Sequence, residues 1–168
     1  WIWEAADGAA LVDEIVIATT TKPEDDAIEA ICKENGIRCF RGSEENVLER
    51  FYLAAVMSAA TVAVRVTCDC PFVDPTIIDQ VIALRETHGA DYASNIDPPT
   101  WPDGMDCEAI SMSTLDECYV HAESKVDREC VTTYIQRNKH RFKCVNLTCP
   151  LPGMHKERWV LDTEDDYK

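Results

Sequence analysis

The sequence predicts an α/β protein, a three-layer sandwich in which a mostly parallel sheet lies between layers of helices. Three observations carry that expectation. Two runs rich in β-branched residues, Glu14-Ile15-Val16-Ile17-Ala18-Thr19 and residues 61–67 with Val62, Val64 and Val66, lack the alternation of a half-exposed strand, so both should be interior strands. Stretches of about 10–15 residues with apolar positions at helical spacing separate the strands, as βαβ units require. The chain has 168 residues, 46% of them hydrophobic, which suits one domain burying roughly two-thirds of its extended-chain surface.

Each element has a local reason. Residues 1–10 read as a helix leading straight into the first strand. After Thr19, Thr21-Lys22-Pro23-Glu24 has the spacing of a capping box. The helix behind it carries Ala27, Ile28, Ile31 and Cys32 on one face and stops at Gly36, a left-handed C-terminal position. Ile37-Arg38-Cys39-Phe40 is a short strand, and Ser43 opens a helix with Val47, Leu48, Phe51, Tyr52 and Ala55 at helical spacing. Beyond the 61–67 strand comes the loop 68–73. Asp74-Pro75 then supplies an N-cap and an N1 proline for a helix that buries Ile77, Ile78, Val81 and Ile82 and ends near Gly89. Residues 91–95 and 108–112 read as strands around a turn-rich loop, 97–104. Ser113-Thr114-Leu115-Asp116 caps a short helix, residues 127–138 form another, and residues 142–147 and 158–161 are late strands.

Charge and composition exclude several functions. Sixteen Lys+Arg stand against 31 Asp+Glu, a net charge of −15. The densest basic cluster, Lys139-His140-Arg141-Phe142-Lys143, reads as a solvated helix end, so nucleic acid is not expected as a partner. An acidic chain that binds phosphates needs a few placed cations or a bound metal. The longest nearly apolar run, residues 53–64, is interrupted by Ser58 and Thr61 and falls short of the ~20 residues a spanning helix needs, so no membrane association is expected. The start lacks the pattern of a signal peptide. Nine cysteines, an odd number with no C-x-x-C pair, read as reduced, mostly buried small hydrophobes of a cytoplasmic protein.

In a parallel sheet, ligands bind beyond the carboxyl ends of the strands. That rule singles out the loops after Thr19, Phe40, Thr67 and Asn95. Asp69 follows the most hydrophobic strand and Asp162 follows Trp159-Val160-Leu161. Each is either a turn former or helix cap, or a ligand for Mg²⁺, which takes one or two carboxylates plus substrate phosphates. Within Trp101-Pro102-Asp103-Gly104-Met105-Asp106-Cys107-Glu108, a tight turn leads to two carboxylates on one strand face. This is a solvated acidic edge or a polar wall for a hydroxylated substrate. Arg41, Arg65, Arg128 and Arg158 are the cations best placed for phosphate or carboxylate. Arg128 equally suits an ion pair with its neighbours. The four histidines have no nucleophile partner or metal spacing.

Taken in order, Val12 to Thr20, Phe40-Arg41-Gly42-Ser43 with Val47-Leu48-Glu49-Arg50, Val64-Arg65-Val66-Thr67-Cys68-Asp69-Cys70-Pro71, Pro102-Asp103-Gly104-Met105-Asp106, Arg128-Glu129 ahead of Val131-Thr132, and Arg158-Trp159 ahead of Leu161-Asp162-Thr163 form a pattern. It resembles the cytidylyltransferase-like family of spore-coat polysaccharide biosynthesis, akin to the CMP-sialic acid and CMP-KDO synthetases. The resemblance implies the GT-A-type nucleotide-diphospho-sugar transferase fold. It also implies transfer of CMP from CTP to a sugar or sugar acid with release of pyrophosphate, assisted by Mg²⁺. By the same resemblance, Asp69 and Asp162 match metal-binding aspartates, and Arg158 joins them in catalysis. Arg41, Ser43 and Arg65 border the nucleotide, and Asp103, Gly104, Asp106, Glu108 and Arg128 lie on the sugar side. Three departures stand out: Cys68 where members usually have Gly, Cys130 for His, and Thr133 for Pro.

The family begins with a strand and a Gly/Arg/Lys-bearing loop ahead of the segment matched here. The expectation is therefore a single nucleotidyltransferase-like domain over residues 1–168, cut short at both termini, impaired as given, and prone to form a homo-oligomer through unpaired sheet edges. A GT-A-type glycosyltransferase using a nucleotide-sugar and a non-catalytic binding or assembly remnant are the alternatives.

Overall fold

The computed structural model describes residues 2–167 as an α/β protein. In chain order its elements are α1 (Ile2–Asp7), β1 (Val16–Thr20), α2 (Asp26–Glu34), β2 (Arg38–Gly42), α3 (Val47–Met57), β3 (Val62–Arg65), α4 (Pro75–His88), β4 (Tyr92–Ser94), β5 (Glu108–Ser111), α5 (Met112–His121), α6 (Lys125–Glu129), α7 (Thr133–Arg137) and β6 (Cys144–Asn146). β1 and β2 pair in parallel. β3, β5, β4 and β6 lie side by side in that order, with β4 parallel to β6 and antiparallel to β5. The sheets are thus parallel-rich, as expected. The two β-branched runs are not interior strands, however: among the described residues β1 pairs with β2 alone, and β3 ends its sheet. Missing alternation records that both faces of a strand are covered. Whether both edges are hydrogen-bonded is a backbone property that side chains do not encode.

Contacts divide the chain into two compact units. The first comprises the N-terminal segment through Asp13, Val62–Ile110, and the chain from Lys143 on. Here α4 lays Ile77, Ile78, Val81 and Ile82 into a core shared with Ala93, Cys107 and Ala109, and α1 adds Ile2, Ala5 and Ala6. Asp74 caps α4 by accepting from the Thr76 amide at 2.7 Å. Gly89 ends the helix at φ +54°, where the amide of Ala90 reaches the Arg85 carbonyl at 2.9 Å. Residues 158–161 are extended but form no strand; one parallel bridge joins Asp103 and Arg158. Nor does a helix follow Asp162. The Asp166 carboxylate instead folds the end of the chain by accepting from the amides of Asp162 (3.0 Å) and Thr163 (2.8 Å).

The second unit comprises Glu14–Thr61 and Ser111–Phe142. Its capping box does not form. Lys22 precedes a short 3-10 turn with no side-chain cap, and α2 starts only at Asp26. Asp25 turns back instead, accepting from the Thr19 hydroxyl (2.8 Å) and from the amide (2.9 Å) and hydroxyl of Thr20. These donors hold its carboxyl down at about 2. At the far end of α2 the Gly36 expectation is met: φ is +68°, and the Ile37 amide donates to the Cys32 carbonyl at 2.8 Å. Two caps are displaced by local side chains. α3 is capped by Asn46 rather than Ser43, and α5 by Ser111 rather than Ser113. The helix expected over 127–138 is split into α6 and α7 because Val131 and Thr132 turn inward and are buried.

Candidate functional site

Three loops of the first unit meet through the main chain. The Asp103 amide donates to the Glu157 carbonyl (3.0 Å), the Trp159 amide donates to the Asp103 carbonyl (2.7 Å), and the Leu161 amide donates to the Asp69 carbonyl (2.9 Å). The segment 157–161 is thus bonded twice to the β4–β5 loop and once to the β3–α4 loop. The sequence places Asp162 directly after Leu161, so the two expected metal ligands sit on loops joined by one hydrogen bond. Gly104 is essential to this docking. Its φ is +107°, and a Cβ there would lie 2.4 Å from the Trp159 carbonyl oxygen.

Arg158 bonds Asp166 (2.7 Å) and Asp162 (2.8 Å), an exposed fork that holds the Asp166 carboxyl below its usual range, with Thr163 helping. Asp69 and Asp162 offer hard oxygen donors on joined loops, which fits Mg²⁺, an ion that keeps several places for water and phosphate. Among the described residues no group of three or more His, Cys, Asp or Glu converges as a metal cage. Cys68, the departure beside Asp69, is exposed.

Asp106 carries a carboxyl pushed well above its ordinary range. Burial, then the negative charges of Asp103, Glu108 and Asp69, push it from 3.8 up to about 6, and Arg65 opposes them only in part. Buried Asn95 holds its backbone from both sides, donating to the Met105 carbonyl (2.7 Å) and accepting from the Cys107 amide (2.9 Å). The raised value has a stability consequence. The folded state holds this proton more tightly than the unfolded chain, so the stabilisation is complete below about 4 and lost as pH rises through about 6. Asp106→Asn should therefore gain stability relative to wild type between pH 4 and 7. Urea midpoints measured at both ends test this, and an offset independent of pH would contradict it.

Glu108 is fully buried rather than at a solvated edge. Its carboxylate accepts from Arg65 at 2.6 Å and from the Tyr92 hydroxyl at 2.5 Å. Burial and that neighbouring carboxylate push the Tyr92 phenol up. Glu108 therefore anchors Arg65, which faces it from the adjacent strand. Tyr92→Phe should cost about 1.5–3 kcal/mol in denaturant unfolding, because it strips a buried carboxylate of a donor. An unchanged midpoint would refute the anchor.

The remaining candidates belong to the second unit. Arg41 donates through Nε to the Thr20 carbonyl (2.8 Å), through Nη1 to Asp26 (2.6 Å) and Glu29 (2.8 Å), and through Nη2 to the Lys22 carbonyl (2.6 Å). Its guanidinium holds the β1–α2 loop. The Ser43 hydroxyl accepts from the Asn46 amide at 3.0 Å, and exposed Arg128 donates Nε to the Ala122 carbonyl at 3.2 Å. Sequence reasoning missed Asn95, Tyr92 and Asp166. The signal for Asn95 was a lone amide at the end of an apolar strand; Asp166 was hidden by the expected final helix.

The model of the cytidylyltransferase family matches residues 1–166. The chain belongs to the cytidylyltransferase family. Two relatives are each 35% identical: an uncharacterized protein of Methanocaldococcus jannaschii, over 94% of this chain and 64% of that protein, and the spore coat polysaccharide biosynthesis protein SpsF of Bacillus subtilis, over 93% and 65%. The chain spans just under two thirds of the length of these relatives. A cytidylyltransferase from Leptospira borgpetersenii superposes with a TM-score of 0.91 at 29% identity, covering 98% of this chain and 69% of that one. A CMP:2-keto-3-deoxy-manno-octonic acid synthetase complexed with CTP shares the fold at a TM-score of 0.61 and 14% identity, over 88% and 78%.

Proposed function

We propose that the chain is part of an enzyme that couples CTP to a sugar or sugar acid, giving a CMP-sugar and pyrophosphate for surface polysaccharide synthesis. The observation that supports this reading is the Leu161–Asp69 main-chain bond, which joins the two segments that bear Asp69 and Asp162. In the reaction a sugar hydroxyl forms a new bond to the α-phosphorus, the α–β phosphoanhydride bond breaks, and the hydroxyl proton passes to solvent. Asp69 and Asp162 would hold Mg²⁺, which supplies neutralisation of charge on the phosphates. Arg158, paired with Asp162 and Asp166, would offer its guanidinium to phosphate. Arg65 is kept in place by Glu108. Asp103 and Asp106, on the loop that Gly104 docks, accept from sugar hydroxyls. Within the second unit, Arg41 and Ser43 hold the loops after β1 and β2 and are candidates for contact with a nucleotide, and Arg128 is a candidate for contact with a sugar carboxylate.

Nine cysteines without a disulfide suit a cytoplasmic enzyme, and the open edges of β1 and β3 suit a homo-oligomer. The deciding experiment is pyrophosphate release by the purified protein with CTP, Mg²⁺ and a panel of sugar acids. Release that requires both CTP and one sugar acid is the expected result. Glycosyl transfer from a nucleotide-sugar without CTP consumption would replace this reading.

A further inference from the structure

Two aromatic side chains stand on the loops that carry the paired carboxylates. Phe72 follows Asp69 on the turn closed by the Val73 amide and the Cys70 carbonyl (3.2 Å), and its side chain is 62% exposed. Trp159 precedes Asp162 and is 36% exposed, yet its main chain is locked by Asp103 and packed over Gly104. The rings meet edge to face, with centroids 6.1 Å apart and an interplanar angle of 72°. Leaving a phenyl ring in water forgoes roughly 1.5–3 kcal/mol of burial, and neither ring is among the residues packed in the core of this unit.

We propose that Phe72 and Trp159 form the wall of the substrate site that takes the apolar face of a pyranose ring, making them specificity-determining residues for the sugar. This rests on the cytidylyltransferase reading and names a part of the substrate which that reading leaves open. Two perpendicular rings make a corner. A flat base is best held between parallel faces, whereas a puckered ring offers a face of axial C–H bonds to one aromatic and an edge to the other. The charge around the corner points the same way. The carboxylates of Asp103 and Asp106, on the loop bonded to Trp159, are matched to sugar hydroxyls, and negative charge there repels an unneutralised triphosphate. Stacking on Phe72 and hydroxyl bonds to the carboxylates would then orient the ring with its reacting hydroxyl toward the metal ligands.

The test is saturation-transfer NMR with two separate probes, methyl β-D-glucopyranoside and CTP with Mg²⁺, on wild type, Phe72→Ala, Phe72→Tyr and Trp159→Phe. In Phe72→Ala the sugar should bind weaker by a factor of roughly 3–10, the worth of one aromatic contact. Phe72→Tyr should restore it, and Trp159→Phe should lose less than Phe72→Ala. CTP signals should not change. Phe72 is exposed, so its removal leaves the fold intact. Equal sugar signals in wild type and Phe72→Ala, absence in both included, overturn the proposal, and a loss confined to CTP assigns the corner to the base instead. Sugar binding that depends on Phe72 with no CTP binding would refute the CTP reading and leave the wall standing.

Discussion

Asp69→Asn should reduce pyrophosphate release from CTP and a sugar acid by a factor on the order of 100–1,000, the scale on which removing a charge-stabilising group acts in phosphoryl chemistry. The substitution keeps size and shape while removing the anionic oxygen that a hard cation needs. It should not unfold the protein. Asp69 is only half-buried, and its carbonyl, not its side chain, makes the bond to Leu161. Its charge is one of those that push Asp106 up, so the variant should also let Asp106 ionise at lower pH. Thermal melting alongside the assay separates the cases. Full turnover in the variant would place the metal elsewhere, and lost turnover with a melting point lowered by many degrees would mean a fold defect.

Gly104→Ala should be the most destabilising single methyl in the first unit. Two penalties coincide: a φ of +107° that L side chains rarely adopt, and a Cβ 2.4 Å from the Trp159 oxygen and 2.6 Å from its carbonyl carbon. Both obstacles are backbone atoms and cannot rotate away. The expected cost is about 2–4 kcal/mol, a fall of roughly 5–15 °C in melting temperature for a chain of this size. Gly36→Ala is the control. Its φ is also positive, at +68°, but nothing lies within 4 Å, so it should cost only about 1 kcal/mol. Equal losses in the two variants would mean that the contact with Trp159 does not matter.

The difference between those glycines shows what a sequence can disclose. Gly36, Gly89 and the Asp74-Pro75 cap were legible because a helix end is decided by residues within one turn of it. The Val16–Thr20 and Val62–Arg65 strands were legible because β-branched side chains crowd a helix and suit a pleat. Partners distant in sequence were not. Nothing near Glu108 reveals that Arg65 and Tyr92 will surround it, so a buried anchor was read as a solvated edge or as a sugar-side wall, and its burial removes it from both. Nothing near Arg41 reveals that one loop will occupy its guanidinium. The two candidate metal ligands could be picked out as carboxylates after apolar segments, yet the bond that joins their loops depends on the path of residues 157–161.

That path has a consequence for synthesis. The loops bearing Asp69 and Gly104 leave the ribosome before the segment that bonds to both of them. At about 5–20 residues per second, translation from Gly104 to Trp159 takes roughly 3–10 s. During that interval the carbonyls of Asp69 and Asp103 lack their late amide donors, and Gly104 lacks the Trp159 carbonyl that it packs against. Only when the late segment emerges and threads between the loops does the patch close. A ribosome stalled before residue 157 would therefore carry a chain whose helix α4 has its caps but whose loops bearing Asp69 and Gly104 are not yet tied together.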